Sequence, residues 1–257
     1  MRNNRSDQAG NHVDFDDYAE SYDEILQAAV ALSGETTDYF VDVKVRLLAD
    51  IIRKGGQVGA LRFLDYGCGT GRFSDHLLRN FPDAQYVGLD PSPKSIALAQ
   101  SRPPSGSVSF GPTKDLGRYP PEHFTHAICA VVLHHIPVGE RTCVLRGIFE
   151  SLRPGGALFI FEHNPINPIT RRVVDNCPFD ADAVLLRASE CKRLLSDTGF
   201  DRICVRYYLF LPRLLSFLRP IEHALSWNPL GAQYLAVGLK PYHPNGGPPP
   251  TSICTLP

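Results

Sequence analysis

The sequence predicts an α/β fold: a mostly parallel sheet with helices on both faces, ended by an antiparallel strand and preceded by a helical cap. Three observations carry this. Short apolar, β-favouring runs recur at Leu61–Leu64, Tyr86–Leu89, Ala127–Leu133 and Ala157–Phe161. Each is followed by turn residues, as buried parallel strands are. The stretches between them keep helical spacing: Leu77, Leu78 and Phe81, then Ile96, Leu98 and Ala99, then Val144, Leu145, Ile148, Phe149 and Leu152 before the stop Pro154-Gly155-Gly156. Strand–helix–strand alternation of this kind builds a parallel sheet. Finally, two late strand-like runs, Phe200–Leu211 and Ala232–Leu239, bracket an apolar helical excursion, which suits an antiparallel edge.

Along the chain, residues 1–14 are polar and expected to be flexible. Phe15, Tyr18, Ala19, Tyr22, Ile25 and Leu26 keep helical spacing, and a second helix is expected over Thr37–Arg53, with Phe40, Val43, Leu47, Leu48 and Ile51 on one face. Neither belongs to the strand–helix alternation, so residues 15–54 are assigned to a cap within a single domain, 15–241. Insertions are expected at 164–186 and 211–230. In the first, two Asn-Pro pairs mark turns rather than an immediate helix. The Pro- and Gly-rich tail, 242–257, is expected to be extended.

With 257 residues, 43% of them hydrophobic, the chain can bury one full α/β core. A net charge of −1 leaves no large electrostatic footprint for nucleic acid. No run reaches the roughly 18 apolar residues of a membrane span, and MRNNRSDQAGNHVDFDD is not a secretory signal. The seven cysteines form no C-x-x-C pair, so neither a zinc site nor a redox dithiol is expected, and a reducing, cytoplasmic setting is.

The strongest motif is FLDYGCGTGRFS, Phe63–Ser74, which follows a strand and opens a helix. Asp65, Gly67, Gly69 and Gly71 form an acid-x-Gly-x-Gly-x-Gly pattern. Glycines at such a turn let the backbone approach a ligand closely. Asp90 lies about 25 residues on, after the next strand, where an acid that binds ribose hydroxyls is expected. A dinucleotide site runs G-x-G-x-x-G around a pyrophosphate. Here the glycines alternate and a carboxylate precedes them. That carboxylate would repel a pyrophosphate and attract a sulfonium or an α-amino group.

In these segments the sequence resembles the class I methyltransferases that use S-adenosylmethionine (SAM), in their small-molecule, type 11/12-like branch. LDYGCGTG, VGLDPS, a strand ending in LHHIP, and LRPGGALFIFEHNP carry the resemblance, which covers roughly residues 15–240. It implies a Rossmann-like seven-stranded sheet, SAM as cofactor and S-adenosylhomocysteine as its product. By the resemblance, Asp65, Gly67 and Gly69 contact the methionine end of SAM, with Cys68, Gly71 and Val131 beside them. Asp90 takes the ribose hydroxyls, and Pro91 and Ser92 shape the adenine slot. Tyr22, or alternatively Tyr18, reaches the carboxylate. One departure concerns adenine: Pro112 stands where an acid often reads its amino group. That leaves a backbone amide at Thr113, or Asp115 if the alignment slips.

Ligands of open α/β sheets bind beyond the carboxyl ends of the strands. The fourth strand ends in Leu133-His134-His135-Ile136-Pro137 and the fifth in Phe161-Glu162-His163-Asn164-Pro165. His134, His135, Glu162 and His163 are therefore the candidate catalytic residues. Methyl transfer needs alignment, and a hydroxyl acceptor also needs a base, which histidine suits. Each histidine could equally cap the following turn, and Glu162 could orient a histidine. No H-E-x-x-H spacing appears, so no metal is expected. Arg171 and Arg172 could meet an anionic substrate or simply be solvated.

The expected function is methyl transfer to a small-molecule acceptor, a hydroxyl of a secondary metabolite or saccharide intermediate. The alternatives are carbon or nitrogen methylation of an isoprenoid, quinone or amine, with an apolar wall from Tyr207, Tyr208 and Phe210, and a non-catalytic SAM-binding protein. A nucleic-acid substrate is not expected, because the Asn/Asp-Pro-Pro-aromatic motif is missing after the fourth strand. The excursion Leu211–Leu230 could form a lid, touch a membrane surface or mediate a homodimer.

Overall fold

The computed structural model describes residue 13 and residues 15–56, 59–102 and 107–242. The expected flexible start and Pro/Gly-rich tail lie almost wholly outside these residues.

Seven strands form one sheet in the order β3-β2-β1-β4-β5-β7-β6. They are β1 (Arg62–Tyr66), β2 (Gln85–Asp90), β3 (Ser107–Pro112), β4 (Phe124–Ala130), β5 (Leu152–His163), β6 (Asp201–Tyr208) and β7 (Gln233–Leu239). The pairs β1–β2, β2–β3, β1–β4 and β4–β5 are parallel, in register Leu64↔Val87 and Leu64↔Ala127. β7 runs antiparallel to both β5 and β6, with Phe159↔Val237. The expected fold class is therefore the observed one. Strand order reverses between β1 and β4, which makes the carboxyl ends of these strands the natural ligand crevice.

The helices are α1 (Tyr22–Val30), α2 (Thr37–Lys54), α3 (Arg72–Asn80), α4 (Pro93–Gln100), α5 (Arg141–Ser151), α6 (Pro168–Asp175) and α7 (Ala188–Thr198). Strand side chains alternate between faces, and the core divides accordingly. Phe63, Ile128, Phe159 and Phe161 pack with Val45, Leu48 and Ile52 of α2 and Leu77 of α3. Leu64, Ala127, Cys129, Leu158 and Ile160 pack with Leu145 and Ile148 of α5 and Cys191 and Leu195 of α7. Full burial of each such side chain contributes about 1.5–3 kcal/mol.

Four local expectations change. The fourth strand stops at Ala130, and Leu133–His135 is a 3-10 turn, because Val131 takes φ +64° and breaks the extended run. The second Asn-Pro pair starts a helix: Asn167 caps α6 through the amides of Ile169 and Thr170, and Pro168 takes its first turn, where a missing N–H costs nothing. The first cap segment is a 3-10 turn, Phe15–Asp17, before α1. The late excursion is 3-10 rather than α over Arg213–Leu225, with Pro220 inside it.

Candidate active site

A cavity of about 430 Å³ opens at the carboxyl ends of β1, β4 and β5. Asp65, Gly67, Cys68, Gly69, Val131, His135 and His163 all line it. The structure thus brings seven of the candidate residues to one place. Glu162 and His134 sit behind the wall, fully buried. Asp90, Pro91, Ser92 and Thr113 lie at the neighbouring ends of β2 and β3. Tyr22 opens α1, but its side chain lies outside what the structure describes.

The glycine loop follows from β1. The amides of Gly67 and Cys68 donate to the Leu89 carbonyl at 2.7 and 3.1 Å, which turns the chain sharply. Gly67 has φ +80°, and a Cβ there would lie 2.3 Å from Val132 Cγ2. Gly69 has φ +52° and nothing within 4 Å of its would-be Cβ, so room remains beside its backbone. Gly71 is the N-cap of α3. Gly67→Ala is expected to cost about 1–3 kcal/mol, from strain and overpacking together. In urea melts, adding Val132→Ala should recover only the overpacking share.

Asp65 is 2% exposed. Its Oδ2 accepts from the Tyr86 hydroxyl, while Oδ1 has no hydrogen-bond partner. Burial raises its pKa to about 7, the Tyr86 bond opposes this, and Asp90 adds to it. An unpartnered buried acceptor on a cavity wall suits a cationic donor. Asp90 accepts from Gly69 N at 2.8 Å and Ser92 N at 2.9 Å, which leaves lone pairs on both oxygens. Burial raises its pKa and these two bonds counter the rise. Asp16 reaches across from the N-terminal turn to the Ser92 hydroxyl and the Lys94 amide.

Behind the wall, Glu162 Oε2 pairs with His134 Nδ1 at 2.6 Å. Its Oε1 accepts the amides of Val132 (3.2 Å) and Leu133 (2.7 Å). Burial alone would raise the Glu162 pKa, but the His134 charge holds it below the ordinary value. Burial works against the His134 charge too, yet Glu162 and Asp180 raise its pKa to about 9. With both oxygens engaged, Glu162 orients His134 and the turn. Asp180 Oδ1 lies 3.3 Å from His135 Nε2 and 3.6 Å from His134 Nε2.

His163 is set by a relay. Tyr208 donates to Gln233 Oε1 at 2.7 Å, which fixes the amide, so Gln233 Nε2 faces His163 Nδ1 at 3.4 Å. Nδ1 is then an acceptor and the ring proton sits on Nε2. Burial, with His134 beside it, lowers the His163 pKa to about 4, so the ring is neutral near pH 7. Lys44 of α2 is also on the cavity wall, 6% exposed. Burial lowers its pKa to about 8, against the pull of Glu162.

Sequence reasoning did not single out Asp180, Lys44, Asp16 or the Tyr86 and Gln233 hydrogen bonds. Asp180 sits in an insertion with no periodicity, and Lys44 is a lone basic residue between Val43 and Val45 that helical spacing alone ties to no site. Arg171 and Arg172 are exposed and off the cavity, and Asp115 pairs with Arg118. Six cysteines among the described residues are free thiols, and among those residues no helix is long and apolar enough to cross a membrane.

Residues 64–158 match the family model described as a methyltransferase domain. Trans-aconitate 2-methyltransferase of Methylobacterium nodulans is 29% identical over 168 residues, 63% of this chain and 62% of that protein. The enzyme of the same name in Mycobacterium ulcerans is 27% identical over 172 residues, 62% and 64% of the two chains. The chain thus spans less than two thirds of the length of these relatives. A SAM-dependent methyltransferase from Archaeoglobus fulgidus superposes with a TM-score of 0.59 at 17% identity, covering 77% of this chain and 93% of that one. The Haemonchus contortus phosphoethanolamine N-methyltransferase 2, solved with S-adenosylhomocysteine, gives 0.59 at 18% identity, covering 89% and 61%. The [4+2]-cyclase SpnF gives 0.54 at 21% identity, covering 77% and 81%, so the fold alone does not fix the chemistry. Residues 64–158 thus match a methyltransferase domain, and the chain shares its fold with SAM-dependent methyltransferases of known structure.

Proposed function

We propose that the chain transfers a methyl group from SAM to an oxygen of a small-molecule acceptor, and that this oxygen belongs to a carboxylate. The observation that carries the reading is that Lys44 and His163 line the same cavity as Asp65, where they supply a cation and a donor N–H. Asp65 Oδ1 is suited to the cofactor's ammonium group, Asp90 to its ribose hydroxyls, and the glycine loop leaves room for its backbone contacts. When bound, SAM supplies an electrophilic methyl group on a cationic sulfur. The residues of this chain then orient the acceptor and exclude water.

The hydroxyl acceptor read from the sequence requires a base. The Tyr208–Gln233 relay leaves His163 a donor, and Glu162 is fully buried behind the wall with both oxygens engaged. A carboxylate needs no base, since it is already anionic near neutral pH. The relatives named for trans-aconitate, itself a carboxylic acid, support the same choice.

The test is to incubate the protein with methyl-labelled SAM and a panel of carboxylic acids, alcohols, phenols and amines, and identify labelled products by mass spectrometry. Methyl esters are expected. Ethers or methylamines would replace this reading, and no product despite SAM binding would favour a non-catalytic SAM-binding protein. Lys44→Met is expected to raise the acceptor KM by about 10–100-fold, since a charged hydrogen bond is worth roughly 1.5–3 kcal/mol, with the SAM Kd within about twofold. The wild-type KM should rise as the pH passes about 8, where Lys44 loses its charge.

A further inference from the structure

We propose that His134, His135 and Asp180 form a binding site for a divalent first-row transition ion of the zinc type, beside the acceptor cavity. Donor atoms of these three residues lie within 4.8 Å of one another. Asp180 Oδ1 is 3.6 Å from His134 Nε2 and 3.3 Å from His135 Nε2. A tetrahedral ion with bonds near 2.1 Å separates its ligand atoms by about 3.4 Å, so the cluster needs little movement to close on one.

The second observation is an orphan. His134 is buried, and its Nε2 makes no hydrogen bond; at 3.6 Å, Asp180 is too far to accept one. The opposite nitrogen, Nδ1, is committed to Glu162 at 2.6 Å. Glu162 is itself held by the amides of Val132 and Leu133. This is the carboxylate–histidine arrangement that keeps a proton on Nδ1 and aims Nε2 at a metal, and an ion binding there displaces the proton that Nε2 carries in the imidazolium.

The scaffold is fixed before any ion arrives. Val184 N donates to the His134 carbonyl at 2.8 Å, and Arg141 donates to the Val184 carbonyl at 2.7 Å. These bonds lock the insertion bearing Asp180 against the histidine turn. Phe15 packs edge-on to His135, 4.8 Å between ring centroids. Two imidazoles and one carboxylate suit zinc, cobalt or iron(II), whereas magnesium and calcium prefer oxygen-rich sites. Because His135 and Asp180 line the cavity, the remaining coordination position faces it and can take a water or an acceptor oxygen. The sequence expectation of no metal rested on the missing H-E-x-x-H spacing. That spacing detects ligands on one helix, and here Asp180 comes from 45 residues beyond His135.

Metal binding needs neither SAM nor acceptor, so its test is separate from that of the proposed reaction. Protein without a polyhistidine tag is dialysed against a chelator and titrated with Co²⁺, reading the visible absorption of four-coordinate cobalt. One Co²⁺ per chain is expected, displaced by Zn²⁺ and not by excess Mg²⁺. An anaerobic Fe²⁺ competition identifies which ion of the class binds most tightly. His135→Gln and Asp180→Asn should each weaken binding at least about tenfold, and Glu162→Gln about 10–100-fold, with circular dichroism verifying that each variant is folded. No cobalt binding by the folded wild-type chain overturns the site, as does binding that His135→Gln and Asp180→Asn leave unchanged.

Discussion

Asp65→Asn is expected to weaken SAM binding by at least about 100-fold in calorimetry. The substitution keeps the shape of the side chain and removes its charge, and a charge-assisted hydrogen bond in a buried setting is worth roughly 1.5–3 kcal/mol before the lost Coulomb attraction is added. The wild-type chain should also show a pH signature. Its Asp65 pKa is raised to about 7, and a cation binds the ionised form. Affinity should therefore fall about tenfold for each pH unit below 7 and level off above it. Stability carries the opposite sign. A raised carboxyl pKa contributes stability that is full below the ordinary value of 3.8 and is lost as pH rises through about 7. Asp65→Asn should remove that loss, so a folded variant that fails to bind SAM is the expected outcome. Unchanged affinity in that variant would refute the cationic pocket, and with it the cofactor assignment of the glycine loop.

The second large effect is on folding. Glu162→Gln leaves the buried His134 without its counter-charge, and breaking such a pair costs about 3–5 kcal/mol. The loss would be read as a lower urea midpoint at unchanged slope. The pair also sets a pH window. The lowered pKa of Glu162 gives stability that is present above 4.5 and lost as pH falls through its folded value. The raised pKa of His134 gives stability that is full below 6.5 and lost as pH rises through about 9. The wild-type chain should thus be most stabilised by this pair between about pH 4.5 and 6.5, and Glu162→Gln should flatten the decline toward pH 9. A stability loss below about 1 kcal/mol would show that the turn does not depend on the pair.

The sheet was legible because its strands are buried on both faces, so Phe63-Leu64 and Phe159-Ile160 read as continuous apolar runs between turn signals. The glycine loop at the end of β1 was legible because glycine and acid at fixed spacing have few other uses. Asp180 was not, since a loop acid acquires meaning only from what folds against it. The role of His163 was also out of reach. Its proton is placed by Gln233 and Tyr208, which stand 70 and 45 residues away along the chain. The ends of β4 and α6 were misjudged for a local reason: propensity read Val131 as strand and Asn-Pro as turn, whereas backbone dihedrals and capping decided both.

The outer rim near the cavity mouth is hung on the sheet by polar ties. Asn164 holds the carbonyls of Pro229 and Gly231, Glu222 takes the amides of Phe210 and Leu211, and Arg219 reaches Glu35. Leu214, Phe217 and Trp227, each more than 70% exposed, carry almost none of that fastening. Selection can thus exchange these three side chains, and whatever they touch, while the frame beneath stays intact. Descendants of this chain are free to diverge in their outward contacts at little risk to folding, and a library randomised at those positions should yield mostly well-folded clones.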